Sequence, residues 1–303
     1  MDRPFVSIVV PVLNGGAAFQ DLLRSLDHLA WPADRREILV VDNRSTDDSA
    51  ALARKAGFKV IDEQERGASS ARNTGVRHAR GDIVAFTDAD CIVTRTWITH
   101  LVAPFSDSAV GGVGGRTETY LPKTWTERHA ARTGHLDAER HLSHPTFPFA
   151  PTANAAFRRS LFDTIGGFDP GFPWGEPIDF CKRVVRDGGL RLAFAPRAVV
   201  FHRARANLGD FYRQQRGYGY SLALLCAKYR DEVDWNWKRS LSAAWDVLRA
   251  GCLVPWGLIE ATALRRGSAA IEGRTLELVR QVGRRVGFRR AVRERALHFG
   301  ARS

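Results

Sequence analysis

The chain has 303 residues, 44% of them hydrophobic, enough for a large buried core, which excludes an intrinsically disordered polymer. Of its net charge of +12, +8 lies between Arg265 and Ser303, where eleven Lys/Arg face three Asp/Glu. A basic tail of this kind calls for an acidic partner (nucleic acid, anionic lipid or a phosphorylated substrate), while the four cysteines, none in a C-x-x-C pair, exclude a zinc knuckle or a dithiol redox motif.

In chain order, short apolar runs predict strands at Phe5 to Val12, Glu37 to Asp42, Phe58 to Ile61 and Ile83 to Thr87. Met1 to Val10 lack the charged start, apolar core and cleavage site of a signal peptide, so a cytoplasmic location is expected, with Cys91, Cys181, Cys226 and Cys252 as buried, reduced thiols. Helical spacing covers Phe19 to Leu29, Thr46 to Ala56 and Ala68 to Ala79, the second opening with Ser45 as N-cap and Asp48 at N3. Strands alternating with amphipathic helices make an α/β fold with a mostly parallel sheet covered on both faces.

Ligands of such sheets bind beyond the carboxyl ends of the strands. Three polar clusters fall there: Asn14-Gly15-Gly16, Asp42 to Asp47, and Asp88-Ala89-Asp90. Each alone is ordinary turn chemistry, but together they mark one rim. The two carboxylates of Asp88-Ala89-Asp90 can hold a divalent cation, and such a cation has a phosphate as its natural partner. No G-x-G-x-x-G follows the first strand and no Walker sequence is present, which disfavours a dinucleotide or P-loop site.

Further motifs follow in order: Val9-Val10-Pro11-Val12-Leu13-Asn14, Ile38 to Asp47, Gly67 to Gly75 with Arg72-Asn73 inside it, Asp88-Ala89-Asp90, Ala153 to Arg159, Gly166-Gly167-Phe168-Asp169 and Trp174-Gly175-Glu176. On these the chain resembles the family-2 glycosyltransferases of the GT-A fold over roughly residues 4 to 220. The resemblance implies a metal-dependent, inverting transfer of a sugar from a nucleoside-diphosphate donor, UDP being the commonest, to an acceptor hydroxyl on a glycan, a lipid-linked or a small molecule. It implies Pro11, Val12, Asn14 and Asp42 under the nucleoside, Arg72 facing the nucleotide, Asp88 near the ribose, and Asp90 on Mn2+ or Mg2+. His202, after the run Ala198 to Phe201, stands where relatives place a histidine near the metal; the other reading is a histidine ending a buried strand. Asn154 and Trp174 are candidates for the acceptor, an amide to orient sugar hydroxyls and an indole face for a ring, with core packing as the alternative for Trp174.

Inversion needs a base, and relatives commonly carry Glu-Asp after the glycine, with the Asp as base. This chain reads Gly175-Glu176-Pro177-Ile178-Asp179, with proline at that position. A helix starting there would have Glu176 as N-cap, Pro177 at N1 and Asp179 at N3. Glu176 is the first candidate base and Asp179 the second; the alternative is that both cap the helix and the protein binds a nucleotide sugar without a competent base.

His129, His135, His141 and His144 are spaced by six, six and three, which builds no helical metal site, so residues 117 to 151 read as a partly helical acceptor-side segment. Residues 1–230 form the expected glycosyltransferase domain, in which Leu208 to Tyr229 is a helix with Gln214, Gln215 and Arg216 toward the acceptor. Residues 231–303 are expected as a basic, Trp-containing helical extension. Its tryptophans at 235, 237, 245 and 256, its ten-residue uncharged stretch Ala250 to Ile259, and Arg280, Arg284, Arg285, Arg289 and Arg290 suit either a peripheral anchor on the anionic inner face of the plasma membrane or a helical tail packed on its own domain. Nucleic acid is not expected, because no aromatic stacking platform accompanies the arginines.

Overall fold

The computed structural model describes residues 3–233, 248–255, 269–295 and 297. The chain forms two compact units, one of residues 1–120 and 134–203, the other of residues 121–133 and 204–303. The four expected tryptophans at 235, 237, 245 and 256 lie outside the described residues.

The first unit is built on an eight-stranded sheet. Its strands are β1 (Val6–Val12), β2 (Arg36–Asp42), β3 (Lys59–Asp62), β4 (Ile83–Phe86), β5 (Cys91–Val93), β6 (Val110–Thr119), β7 (Ala155–Arg158) and β8 (Arg191–His202), in the spatial order β3-β2-β1-β4-β7-β6-β8-β5. The first four run parallel, β7 is antiparallel to β4 and β6, β8 is parallel to β6, and β5 closes the edge antiparallel to β8.

β1 is apolar almost throughout because it is central and covered on both faces. Its side chains alternate between two cores, Val6, Ile8, Val10 and Val12 into one and Val9 into the other. The first core lies under α1 (Gly16–Asp27) and α4 (Trp97–Val102), with Trp97 fully buried. The second lies under α3 (Ala68–His78) and α8 (Glu176–Arg186), which follows the short helices α6 (Ala138–Leu142) and α7 (Ser160–Thr164), around Phe86, Phe157, Phe162, Phe168 and Phe180; the rings of Phe162 and Phe180 stack 4.5 Å apart.

The strands and α3 fall within two residues of expectation. α2 (Ser49–Lys55) does not: it starts three residues late, and Ser45 is not its cap. The Ser45 hydroxyl accepts from the Asn14 N–H instead, and Asp47 accepts the Ser49 N–H and hydroxyl as well as the Gly16 N–H. Cross-loop bonds have taken the groups that a local capping rule assigns to the helix.

In the second unit, α5 (Trp125–Thr133), α9 (Leu208–Lys228) and α10 (Ala269–Glu294) are described, and residues 248–255 are helical. Asn207 caps α9 by accepting the Asp210 N–H. α9 and α10 cross so closely that a Cβ on Gly219 would stand 1.9 Å from the Arg284 carbonyl oxygen, and one on Gly287 the same distance from that of Arg216. Gln215, expected toward an acceptor, is instead buried in this crossing and accepts from Arg284 Nε at 3.2 Å. Cys91, Cys181 and Cys226 are buried, as expected, but Cys252 is exposed. Among the described residues no helix is long and apolar enough to cross a membrane.

The crossing makes a paired prediction for thermal or denaturant unfolding. Gly287→Ala should destabilise by about 1–3 kcal/mol through overpacking against backbone. Gly273→Ala, on the same helix with nothing within 4 Å of the added methyl, should stabilise by roughly 0.5–1 kcal/mol.

Candidate active site

The carboxyl rim begins where β1 and β2 end side by side, Val12 in register with Asp42. Asn14 turns the chain with φ +53, and its side-chain oxygen accepts the Thr46 N–H at 2.7 Å, lacing the two loops together. Asp42 is 8% exposed and accepts the Ser45 N–H, while Asn43 ties the next loop by donating to the Glu63 and Glu65 carbonyls and accepting from Gly67 N–H. Pro11, Val12, Asn14 and Asp42 therefore lie together on one rigid ledge.

α3 leaves the Gly67 loop with Ser69, Arg72 and Asn73 on one face, at the spacing of three and four that a helix aligns. Arg72 is 5% exposed. Its Nη2 donates to Asp88 Oδ1 at 2.6 Å and its Nη1 donates to Glu176 Oε1. This guanidinium joins the Asp88 loop to the start of α8. Burial works against its charge, but Asp88 and Glu176 outweigh that and its pKa is raised. Burial also pushes the Glu176 carboxyl above the usual glutamate range; Arg72 offsets part of the rise and Asp88 adds to it.

Asp90 and His202 meet through the sheet edge. β5 pairs with β8 so that Cys91 is opposite His202, and the Asp90 carbonyl accepts the Arg203 N–H at 3.0 Å. This register brings His202 Nε2 to 3.4 Å from Asp90 Oδ1. Arg203 fixes the strand end, donating to Asp21 on α1 and lying 4.5 Å from the Tyr120 ring centre. The Cys91 thiol is pushed well above its ordinary range, first by burial and then by Asp90 and Asp88, so it is a neutral packing group.

One carboxylate oxygen and one imidazole nitrogen at this spacing fit a divalent ion whose remaining ligands are substrate oxygens. Mg2+ is commonly held by one or two carboxylates plus phosphates, and an imidazole donor tips the balance toward Mn2+. Among the described residues no group of three or more His, Cys, Asp or Glu forms a protein-only cage.

α8 starts one residue earlier than expected. Gly175, at φ +76, occupies the N-cap position, Glu176 is the first helical residue and Pro177 the second. Neither carboxylate caps: Glu176 is paired to Arg72, and Asp179, 0% exposed, accepts from Arg183 Nε at 2.9 Å. Asn154 is also corrected. It is 1% exposed, accepts from Trp97 Nε1 and donates to the Arg116 and Ala198 carbonyls, all at 2.8 Å, so its amide is committed inside the core rather than to an acceptor sugar. Trp174, by contrast, is 45% exposed. Arg183 escaped sequence reading, although its place four residues after Asp179 is the signature of a helical ion pair.

The family model for glycosyl transferase family 2 matches residues 7–166. The chain is 30% identical over 220 residues to glycosyltransferase AglE of Haloferax volcanii, covering 70% of this chain and 71% of that protein. It is 30% identical over 263 residues to the pre-mycofactocin glycosyltransferase of Mycobacterium tuberculosis, covering 84% of this chain but about half, 52%, of that relative. Among solved structures it is similar to the mannosyltransferase PcManGT from Pyrobaculum calidifontis in complex with GDP-Man and Mn2+, with a TM-score of 0.67 and 21% identity over 97% of this chain and 88% of that one. At that identity the likeness is one of fold, and the fold is GT-A. With the family model spanning more than half of its length and a relative of 30% identity matched over most of both chains, the chain belongs to glycosyltransferase family 2.

Proposed function

We propose that this glycosyltransferase moves a sugar from a nucleoside-diphosphate donor to an acceptor hydroxyl in a single inverting displacement, with Glu176 as the base. The observation that carries the reading is the junction of Asp88, Arg72 and Glu176 beside the Asp90–His202 pair. Asp90 and His202 would hold Mn2+ or Mg2+, which when bound neutralises charge on the departing diphosphate. Pro11, Val12, Asn14 and Asp42 support the nucleoside, and Asp88 lies between nucleoside and metal ends. Arg72 holds Asp88 and Glu176 at fixed separation. Trp174 offers an exposed ring face to the acceptor. UDP is the donor base the family resemblance implies; the GDP-Man held by the Pyrobaculum enzyme puts GDP beside it.

Glu176 suits the proton step because burial makes its carboxylate a stronger acceptor. Its pairing with Arg72, and Pro177 at the position where relatives carry the base, support the rival reading, a nucleotide-sugar-binding protein without transferase activity.

We also propose that the enzyme works in the cytoplasm against an anionic membrane face, through α10. Arg289 and Arg293 are exposed, one helical turn apart, and among the described residues neither is ion-paired. Burial, and then the neighbouring charge of Arg289, lower the pKa of Arg285, so these arginines repel one another and would gain from an anionic surface.

Four outcomes test these proposals. In Mn2+-supported donor hydrolysis, Asp90→Ala should abolish turnover and Glu176→Gln should lower it roughly 10²–10⁴-fold; unchanged rates in both would refute these assignments, and a wild-type chain that binds donor without turning it over would establish the binding-protein reading. The base must be ionised to act and its pKa is raised, so the acid limb of the rate should lie above the usual glutamate value of 4.5 and vanish in Glu176→Gln. A thermal-shift comparison of UDP-, GDP- and dTDP-sugars with Mn2+ should single out one base, a donor at about 100 times its Kd adding about 2.7 kcal/mol of apparent stability. Reversing Arg285, Arg289 and Arg293 to Glu should release the full chain from phosphatidylglycerol vesicles, and undiminished co-sedimentation would refute the membrane contact.

A further inference from the structure

We infer that Asp179 and Arg183 are a positioning pair that holds the loop of residues 166–175, and through it Glu176 and Trp174, and that Asp179 takes no part in proton transfer. The inference rests on the reading of Glu176 as the base.

Both residues lie on α8, one turn apart, and Asp179 is fully buried. An ion pair at this spacing is common on helices. What sets this one apart is where the rest of the guanidinium goes. Arg183 donates to three successive backbone carbonyls: Ile165 at 2.7 Å, Gly166 at 3.1 Å and Gly167 at 2.6 Å. The fork of an arginine suits several fixed oxygens at once, and a nearly buried guanidinium needs a carboxylate to balance it. Asp179 supplies that balance.

The loop is held from its other side by α3. Asn73 exchanges two hydrogen bonds with the Phe168 backbone, at 2.7 and 2.9 Å, and the Ser69 hydroxyl donates to the Phe172 carbonyl at 3.4 Å. The approach leaves no slack: a Cβ on Gly167 would lie 2.5 Å from Asn73 Oδ1. After Phe172 the chain passes the exposed Trp174, turns through Gly175 in the left-handed region, and re-enters α8 at Glu176. The ten residues are thus tied at the start by Arg183, in the middle by α3 and at the end by Arg72 holding Glu176.

The two carboxylates of α8 divide the labour. Glu176 meets the cationic hub of the rim and ends the loop that carries Trp174. Asp179, 0% exposed, is paired with the arginine whose remaining donors hold the loop, whereas Glu176 is paired with the one that reaches Asp88 at the rim.

The test uses the full chain with Mn2+, UDP-glucose and GDP-mannose as probes, and water standing in for the acceptor. We expect Arg183→Ala to lower the hydrolysis rate at least 30-fold while the donor Kd, measured by calorimetry, stays within twofold, and to raise amide hydrogen exchange across residues 166–175 at least tenfold. Asp179→Asn should slow hydrolysis yet keep the wild-type acid limb. Arg183→Lys should recover part of the rate, and the exchanged pair, Asp179→Arg with Arg183→Asp, should recover none, because a carboxylate would then face three carbonyl oxygens. Loss of the acid limb in Asp179→Asn, or unchanged loop exchange in Arg183→Ala, overturns the inference. If Arg183→Ala does not fold, Arg183→Met carries the exchange measurement, and wild-type protection there overturns the inference equally. A wild-type chain that binds a donor without hydrolysing it would remove Glu176 as base and leave loop exchange to decide the tether alone.

Discussion

The site depends on one buried positive charge. Arg72 sits on the helix that leaves the Gly67 loop, and its guanidinium is balanced by Asp88, after β4, and by Glu176, at the start of α8. An arginine so enclosed is tolerable only while both partners are in place, since removing one member of a buried ion pair typically costs about 3–5 kcal/mol. The electrostatic requirement is therefore also a geometric one. Three segments distant in sequence must arrive together for the charge to be buried at all.

This explains why α3 carries so much of the site although none of its residues is a candidate base or metal ligand. Residues 69 to 76 of α3 are buried or half-buried, and Ser69, Arg72 and Asn73 each engage the loop of residues 166–175 or the start of α8. Were the proposed roles to hold, donor and acceptor sides would share one helix, and reacting groups gain most when their separation is set before substrate arrives.

Much of this was legible in the sequence. The fully apolar β1, the alternation of strands with helices and the polar clusters at the strand ends gave the fold class and the rim, because hydrophobic period and turn chemistry are local properties. Residues whose partners are remote were harder to read. Ser45 looked like a cap until Asn14, thirty-one residues away, claimed its hydroxyl. Asn154 looked like a sugar ligand because an amide in a motif suggests one, but Trp97 and two backbone carbonyls fill its hydrogen-bonding capacity. Gln215 faces a neighbouring helix that only the glycines at 219, 283 and 287 hinted could come so close. His202 beside Asp90 follows from a register between two strands separated by about a hundred residues, which no local pattern encodes.

That register has a mechanical side. β5 is a three-residue strand at the sheet's edge, where short strands have little ladder to hold them. Asp90 immediately precedes it, and His202 is the residue of β8 opposite its first position. An ion gripped by these two side chains would act as a clasp across the outermost seam of the sheet and would keep the border strand from peeling away.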